Sequence, residues 1–411
     1  MKILIVGGGA AGMMAAVAAL ETNPEAEVTL LEKNPGLGSK VLISGGGRCN
    51  VTTGFHDPRA LVERYPRGGK FLQSAFHRFS PQMVMDWFET HGVPLKTEPD
   101  GRVFPISDDG KDVVGALEED LIKGKAQVLL RKDVQGIEKN GAQFHIQLRS
   151  GEVLQSDKVI LTTGGQAYRH TGSTGDGYSF AEALGHRITA LAPSLNSFMI
   201  QEKWPMELSG VSLKKVQLRV KTTQKYEWTG PILFTHRGLT GPAVFALSSM
   251  IAFETYNEKE PLLLTLDFCP ELKLNELERE FAAELAANPK KQFSNVLSHV
   301  LPKSIASKLC ELLQIKEAKT FAELSKKEFN KILELLKNCP IHLVGRAAGD
   351  EFVTAGGVDT DEVDPRTMES KICPGLYFAG EILNIDGFTG GFNLQAAWAT
   401  GHLAGSSAGE V

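Results

Sequence analysis

Cysteine is scarce in this sequence, and its arrangement excludes more than its number does. The five cysteines, Cys49, Cys269, Cys310, Cys339 and Cys373, are dispersed and odd in number, with no C-x-x-C pair. That rules against a disulfide framework and a structural zinc site, and no metal is expected. Enzymes that reduce disulfides need a closely spaced pair, so that reaction class is set aside. Long apolar runs are missing as well. The stretch 1–20 comes nearest, but Gly7, Gly8 and Gly9 interrupt it and Lys2 is its only leading charge. It falls short of the ~20 uninterrupted apolar residues that a span requires. A cytoplasmic protein without membrane contact is expected. Nor is there a surplus of one charge: 44 basic and 49 acidic residues leave a net charge of -5, so no strong field favours nucleic acid as a partner.

What is present is an ordinary globular composition over 411 residues, 42% hydrophobic and 23% charged. At about 150 residues per domain this is enough for two or three domains. Residues 2–6 form a short β-branched run, 10–21 an alanine-rich helical stretch and 28–31 a second apolar run, so the chain opens strand, glycine turn, helix, strand. That order implies a parallel pair with a right-handed crossover. Stretch 36–53 is dense in glycine without periodicity, an ordered loop or helix start. Helices are expected at 81–91 and 113–123. Between 127 and 157 a period of two (Val128, Leu130, then Phe144, Ile146, Leu148) around Asn140-Gly141 reads as a β-meander. Val159, Ile160 and Leu161 form a buried strand, followed by a helix at about 178–185. From Ala192-Pro193 to about 268 short alternating strands are broken by Gly230-Pro231 and Gly241-Pro242. From 274 to 338 the pattern is helical, with Ser325-x-x-Glu328 as a capping box. Strand signals return at 352–358 and 375–379, and a last helix is expected at 393–403.

The chemistry concentrates at the amino terminus. Gly7-x-Gly9-x-x-Gly12 follows a strand and opens a helix, and Glu32 closes the next strand 20 positions beyond Gly12. In a dinucleotide-binding unit Gly7 makes the tight turn, Gly9 lets a pyrophosphate approach the backbone, and Gly12 lets helix and strand pack closely. Free N–H groups at the helix start bind the phosphates. Glu32 accepts from ribose hydroxyls and repels a 2′-phosphate, which argues against NADP here. A glycine turn without nucleotide is the competing reading, and the motif alone does not distinguish NAD from FAD.

Later segments point to FAD. Thr162-Thr163-Gly164-Gly165 resembles the A-T-G segment of two-dinucleotide-binding-domain flavoproteins. Gly375-Leu376-Tyr377-Phe378-Ala379-Gly380-Glu381 resembles their last FAD motif, with Glu381 where the family usually has Asp. Lys40-Val-Leu-Ile-Ser-Gly45-Gly-Gly-Arg48-Cys49-Asn50, together with Gly380-Glu381-x-Leu-x-x-x-Gly-x-x-Gly-Gly391-Phe-Asn393-Leu394-Gln, resembles the BaiN/aminoacetone-oxidase (YhiN-like) family of FAD-dependent oxidoreductases over essentially the whole chain. More distantly, Thr174-Gly-Asp-Gly-Tyr178 is similar to a segment in the flavoprotein subunits of succinate dehydrogenase and fumarate reductase.

The resemblance implies an α/β fold: a Rossmann-like FAD domain of the glutathione-reductase type with inserted β-barrel and small α-helical domains. The compositional shifts place the FAD domain at 1–191 and 345–411, the β-rich insert at 192–272 and 337–344, and the helical insert at 273–336. It also implies non-covalent FAD held by Gly7, Gly9, Ala11, Gly12, Glu32, Lys33, Lys40, Gly45, Asn50, Val134 (through its backbone, at the adenine), Thr163, Gly164, Gly380, Glu381, Gly391, Asn393 and Leu394. The helix opening after Gly391 would stabilise negative charge on the reduced flavin.

Arg48, Cys49 and Asn50 are the candidates nearest the chemistry. Arg48 orients an anionic substrate or makes a structural ion pair; Cys49 is a redox thiol or a small packing residue. His170 and His236 are isolated histidines, and none of these is assigned as acid or base. The expected function is an FAD-dependent oxidoreductase passing electrons through flavin N5 between NAD(P)H or an organic donor and an acceptor or C=C substrate. No second framed glycine fingerprint is present, so NAD(P)H would dock transiently. Two alternatives stand beside it: a tRNA-modifying or RNA-binding flavoprotein, favoured only by lysine-rich helices, and a non-catalytic FAD-dependent assembly protein. A small-molecule substrate is expected; its identity, the donor and the oligomeric state stay open.

Overall fold

The computed structural model describes residues 1–316, 318–347 and 351–410; the parts of the expected domains at 317, 348–350 and 411 lie outside them. The chain divides into two compact units, Met1–Ser194 with Glu351–Val411, and Leu195–Asp350.

The first unit is built on a five-stranded sheet. Its strands are β1 (Lys2–Val6), β2 (Glu27–Glu32), β3 (Gln127–Leu130), β4 (Lys158–Leu161) and β5 (Leu376–Phe378). Their spatial order is β5-β4-β1-β2-β3, and every pairing is parallel. Ile3, Ile5, Leu30 and Ile160 are completely or almost completely buried, as expected of a parallel sheet covered on both faces. From β1 the chain crosses to β2 on one side, while β4 lies on the other. The order therefore reverses beside β1, and the crevice at the carboxyl ends of β1 and β4 is where this architecture receives ligands. The carboxyl ends carry Gly7 after β1, Glu32 ending β2, Thr162-Thr163-Gly164 after β4 and Gly380-Glu381 after β5.

Two helices cover the centre of the sheet. Helix α1 (Ala10–Thr22) is buried from Ala10 through Leu20, and α2 (Phe392–Gly409) is buried along most of its length. Their contact is backbone to backbone. A Cβ added at Gly401, Gly405 or Gly409 would lie 2.4, 2.1 or 2.9 Å from the carbonyl oxygens of Ala11, Ala15 and Ala19. The register climbs in the same direction on both helices, so they run parallel. Gly401 lies nine residues into α2 and Ala11 one residue into α1, so α2 starts about eight residues, roughly 12 Å, earlier. The alanine-rich composition, which alone indicates only helix propensity, is thus a requirement of this approach distance.

Two expectations change. Residues 127–130 join the parallel sheet as β3, pairing with β2, and only Val134–Asn140, Gln143–Leu148 and Val153–Ser156 form the meander. Alternation over four residues fits either environment, and the partner decides. Within the β-rich stretch, Pro242–Met250 is a helix: Pro at its first turn starts it, and its apolar length is buried rather than alternating.

The second unit holds a closed barrel of Phe198–Ile200, Ser212–Lys221, Lys225–Thr235, Gly238–Thr240, Leu262–Asp267 and Cys339–Arg346. Val216, Leu218 and Val220 alternate into its interior, and one hydrophobic cluster joins them to Phe281, Phe293 and Phe321 of the helical stretch. The capping box at Ser325 is formed, with Glu328 Oε2 accepting the Ser325 N–H at 2.8 Å. Among the described residues no helix is long and apolar enough to cross a membrane.

Replacing Gly405 by Ala forces a methyl against the Ala15 carbonyl and is expected to destabilise the protein by about 1–3 kcal/mol, seen as a lower urea midpoint. An unchanged midpoint would mean that α1 and α2 do not touch there.

Candidate functional site

The glycine turn is held by sterics and by one hydroxyl. Gly7 has φ +110° and an added Cβ would sit 2.6 Å from the Thr162 carbonyl oxygen; at Gly12 it would sit 1.9 Å from the Gly7 oxygen. Thr162 Oγ1 donates toward the Val6 and Gly7 carbonyls at 2.9 and 2.8 Å, tying the turn to β4. Gly9 differs: a Cβ there meets nothing within 4 Å, and no side chain caps the helix it opens. The start of α1 therefore presents its backbone N–H groups beside an open approach.

Glu32 is 8% exposed, yet both carboxylate oxygens are engaged: Oε2 accepts the Gly8 N–H and Oε1 the Asn34 N–H, each at 2.7 Å. This fixes the carboxylate against the glycine turn while each oxygen keeps a lone pair for a further donor. Lys132 N–H donates to the Glu32 carbonyl at 2.9 Å, which brings the segment leading into Val134 to the same place. Val134 itself is a buried strand residue. Lys33 turns to the 170s loop, its Nζ 2.6 Å from both Thr174 Oγ1 and Asp176 Oδ2.

At the other end of the crevice Glu381 bonds Lys40 Nζ through Oε2 at 2.6 Å and accepts the Thr354 N–H through Oε1 at 2.9 Å. The ion pair joins the helical turn Ser39–Ile43 to the end of β5. Between Lys40 and Asn50 lie Gly45, Gly46 and Gly47, all in the left-handed region at φ 57°, 73° and 93°. Only glycine adopts three such conformations in succession without strain. Added Cβ atoms at Gly46 and Gly47 meet nothing within 4 Å, so this backbone is open on one face. Thr163 Oγ1 is buried without a partner, and Gly164 has φ +74°.

The three candidates for chemistry have specific surroundings. Arg48 lies 3.8 Å from the centroid of the Phe104 ring, with Nη1 2.8 Å from Glu98 Oε1 and 3.5 Å from Asp108 Oδ1. The hydrogen bond it donates to Glu98 raises its already high pKa, so it is a fixed cation in a structural ion pair. Cys49 is fully buried at φ 59°, and burial pushes its thiol up to about 12; the neutral thiol packs and does not serve as a nucleophile. Asn50 Oδ1 accepts the Val103 N–H at 3.2 Å, fastening the glycine loop to the small sheet of Thr52–Thr53, Leu95–Thr97 and Arg102–Pro105. His170 and His236 are exposed and belong to different units.

The start of α2 is uncapped, with Gly391 at φ +87°. Asn393 holds the preceding loop, accepting the Gly387 N–H at Oδ1 and donating to the Gly387 carbonyl at Nδ2, both 2.8 Å. Gly380 N–H donates to Thr400 Oγ1 at 2.9 Å, and Leu394 is half-buried. Sequence reasoning missed Tyr65, Thr52 and Gln395. Tyr65 Oη donates to the Phe392 carbonyl at 2.6 Å; Thr52 Oγ1 donates to Gln395 Oε1 at 2.5 Å, and Gln395 Nε2 donates to the Phe79 carbonyl at 2.9 Å. Leaving any of these buried groups unpaired costs about 1–3 kcal/mol. The only signal in the sequence was Gln395 itself, a polar residue in an apolar helix turn.

Thus residues from both ends of the chain meet at the carboxyl edge of the sheet. A family model described as the HI0933-like protein Rossmann domain matches residues 1–407. The chain belongs to the HI0933-like family. The 3-dehydro-bile acid delta(4,6)-reductase of Clostridium scindens is 32% identical over 411 residues, covering 100% of this chain and 99% of the relative. The ribosomal RNA dihydrouridine synthase of Escherichia coli is 30% identical over 398 residues, covering 97% of this chain and 95% of the relative. Among solved structures, the 3-ketosteroid-delta4-(5alpha)-dehydrogenase of Rhodococcus jostii RHA1 aligns over 100% of this chain and 97% of that chain at TM-score 0.52 and 16% identity, a likeness of fold. The expected Rossmann-type α/β fold and the FAD-dependent oxidoreductase class hold for this HI0933-like chain.

Native protein exposed to iodoacetamide at pH 8 is expected to leave Cys49 unmodified, with labelling only after unfolding, read by peptide mass. Alkylation at the rate of a free thiol would overturn its assignment as a buried packing residue.

Proposed function

We propose that this chain uses FAD, held along the crevice between the starts of α1 and α2, to reduce a carbon–carbon double bond conjugated to a carbonyl group in a small-molecule substrate. The observation that carries the reading is the parallel pairing of α1 and α2 with both helix starts uncapped, which we read as aimed at one crevice flanked by Glu32 and Glu381. The start of α1, with Gly7, Gly9, Ala11 and Gly12, suits a pyrophosphate. Glu32 suits the adenosine ribose, with Val134 beside the adenine and Lys33 latching the neighbouring loop. Lys40, Gly45, Asn50, Thr163, Gly164, Gly380 and Glu381 are read as holding the middle of the cofactor. Gly391, Asn393 and Leu394 open α2, whose positive end favours negative charge on a reduced ring. Bound FAD supplies a two-electron centre that passes a hydride.

The substrate class rests on the two relatives. A delta(4,6)-reductase of a 3-dehydro bile acid and a dihydrouridine synthase both add two hydrogens across a double bond conjugated to a carbonyl. NAD(P)H is read as a donor that docks transiently, for want of a second glycine fingerprint in the sequence. A second reading, an RNA substrate, follows from the Escherichia coli relative's name. The small molecule is favoured because the cations beside the glycine loop are matched by acids: Arg48 with Glu98 and Asp108, Lys96 with Asp108, Arg102 with Glu98 and Asp100, and Lys40 with Glu381. RNA binding calls for unmatched cations. We read the stretch 273–336 as a helical domain set into the barrel, and the buried cysteines Cys49, Cys269, Cys339 and Cys373 as suited to a reducing cytoplasm.

Purified protein is expected to be yellow, and its chemically reduced flavin to reoxidise anaerobically on adding a steroid enone. Reoxidation by unmodified ribosomal RNA alone, lost at raised salt, would replace the small molecule with RNA. Gly9→Glu directs a carboxylate into the open approach at α1, so the variant is expected to fold with an unchanged melting temperature relative to wild-type apoprotein and to bind no FAD. Full FAD occupancy in that variant would sink the phosphate assignment.

A further inference from the structure

The first turns of α2 are tied down more heavily than packing alone requires. Tyr65 Oη bonds the Phe392 carbonyl; Gln395, completely buried, bridges the Thr52 hydroxyl and the Phe79 carbonyl; and Trp398 Nε1 donates to the Val51 carbonyl at 2.8 Å. These bonds come from separate segments, 316 to 347 residues distant in sequence. The same strand approaches the helix start directly: a Cβ added at Gly391 would lie 2.1 Å from the Thr52 carbonyl oxygen and 3.1 Å from Asn50 Oδ1. The segment that follows the glycine loop and the start of α2 are therefore parts of one frame, and Gln395 is the side chain that ties the helix to Thr52 and Phe79.

A buried amide is a poor choice for packing, because a leucine fills similar volume without desolvating two polar groups. What an amide adds is direction. Its two hydrogen bonds fix the rotation of the first turn about the helix axis, and Tyr65 fixes its height. The field at a helix end falls away within the first turn, so its effect on a neighbouring charge depends on where that turn is held. We infer that Gln395 and Tyr65 are positioning residues that hold the start of α2 against the flavin ring and thereby raise the flavin's reduction potential. The inference rests on the proposed placement of FAD along the crevice.

The test is the midpoint potential of the bound flavin, measured by anaerobic dye equilibration on wild type, Gln395→Leu and Tyr65→Phe, with FAD content and melting temperature determined alongside. Both variants are expected to retain FAD and to be harder to reduce, with a shift of about tenfold in the reduction equilibrium, or roughly 30 mV lower for a two-electron couple. A purely structural role would lower the melting temperature and leave the potential unchanged, and that result in both variants overturns the inference. Tyr65→Phe removes a single oxygen and carries the test by itself where Gln395→Leu fails to fold. Wild type that takes up no FAD would instead overturn the underlying cofactor placement, so the two failures are distinguishable.

Discussion

The contact of α1 with α2 at Ala11–Gly401, Ala15–Gly405 and Ala19–Gly409 is the constraint on which the candidate site depends. Helices packed through ordinary side chains lie ~8–10 Å apart, whereas here glycine on one helix faces backbone carbonyls on the other. Because the contact is parallel and in register, it also sets the offset between the two helix starts. One start follows the glycine turn after β1, and the other follows Gly390-Gly391 near the carboxyl terminus. A single small-residue seam thus fixes how the two helix starts, from opposite ends of the chain, lie relative to each other.

Around that seam, polar groups are used for placement rather than for stability. Thr162 holds the Gly7 turn, Glu32 is gripped by two backbone N–H groups, Glu381 is shared between Lys40 and the Thr354 N–H, and Gln395 bridges Thr52 and Phe79. The bonds of Glu381 and Gln395 join segments far apart in the chain, and those of Thr162 and Glu32 hold the glycine turn against the strand ends beside it. Such bonds add little net free energy, since the unfolded chain makes equivalent bonds to water, but leaving one unmade is costly. They therefore select one arrangement of the loops at the carboxyl edge of the sheet. Arg48 and Cys49, the side chains whose chemistry looks most reactive on paper, belong to this scaffolding: one is locked into an ion pair over Phe104, the other is buried and neutral.

The chain is similar to both a bile-acid reductase and a ribosomal RNA dihydrouridine synthase, at 32% and 30% identity. A double bond conjugated to a carbonyl is activated toward hydride whether it sits in a steroid or in a pyrimidine. What differs between such substrates is bulk and charge.

Sequence alone determined the parts whose physics is local. The glycine fingerprint, the strand and helix around it and the acidic end of β2 lie within 32 residues, and the backbone that the glycines require follows from sterics alone. The capping box at Ser325 is equally local. What tertiary structure decided was pairing: that residues 127–130 extend the parallel sheet, that Pro242–Met250 is a helix inside a barrel unit, that Arg48 answers to Glu98, and that Gln395 answers to Thr52 some 343 positions away. A hydrogen bond or an ion pair leaves no periodicity in the chain, because its energy depends on distance in space and not on separation in sequence, so it becomes legible only when the fold has brought its two halves together.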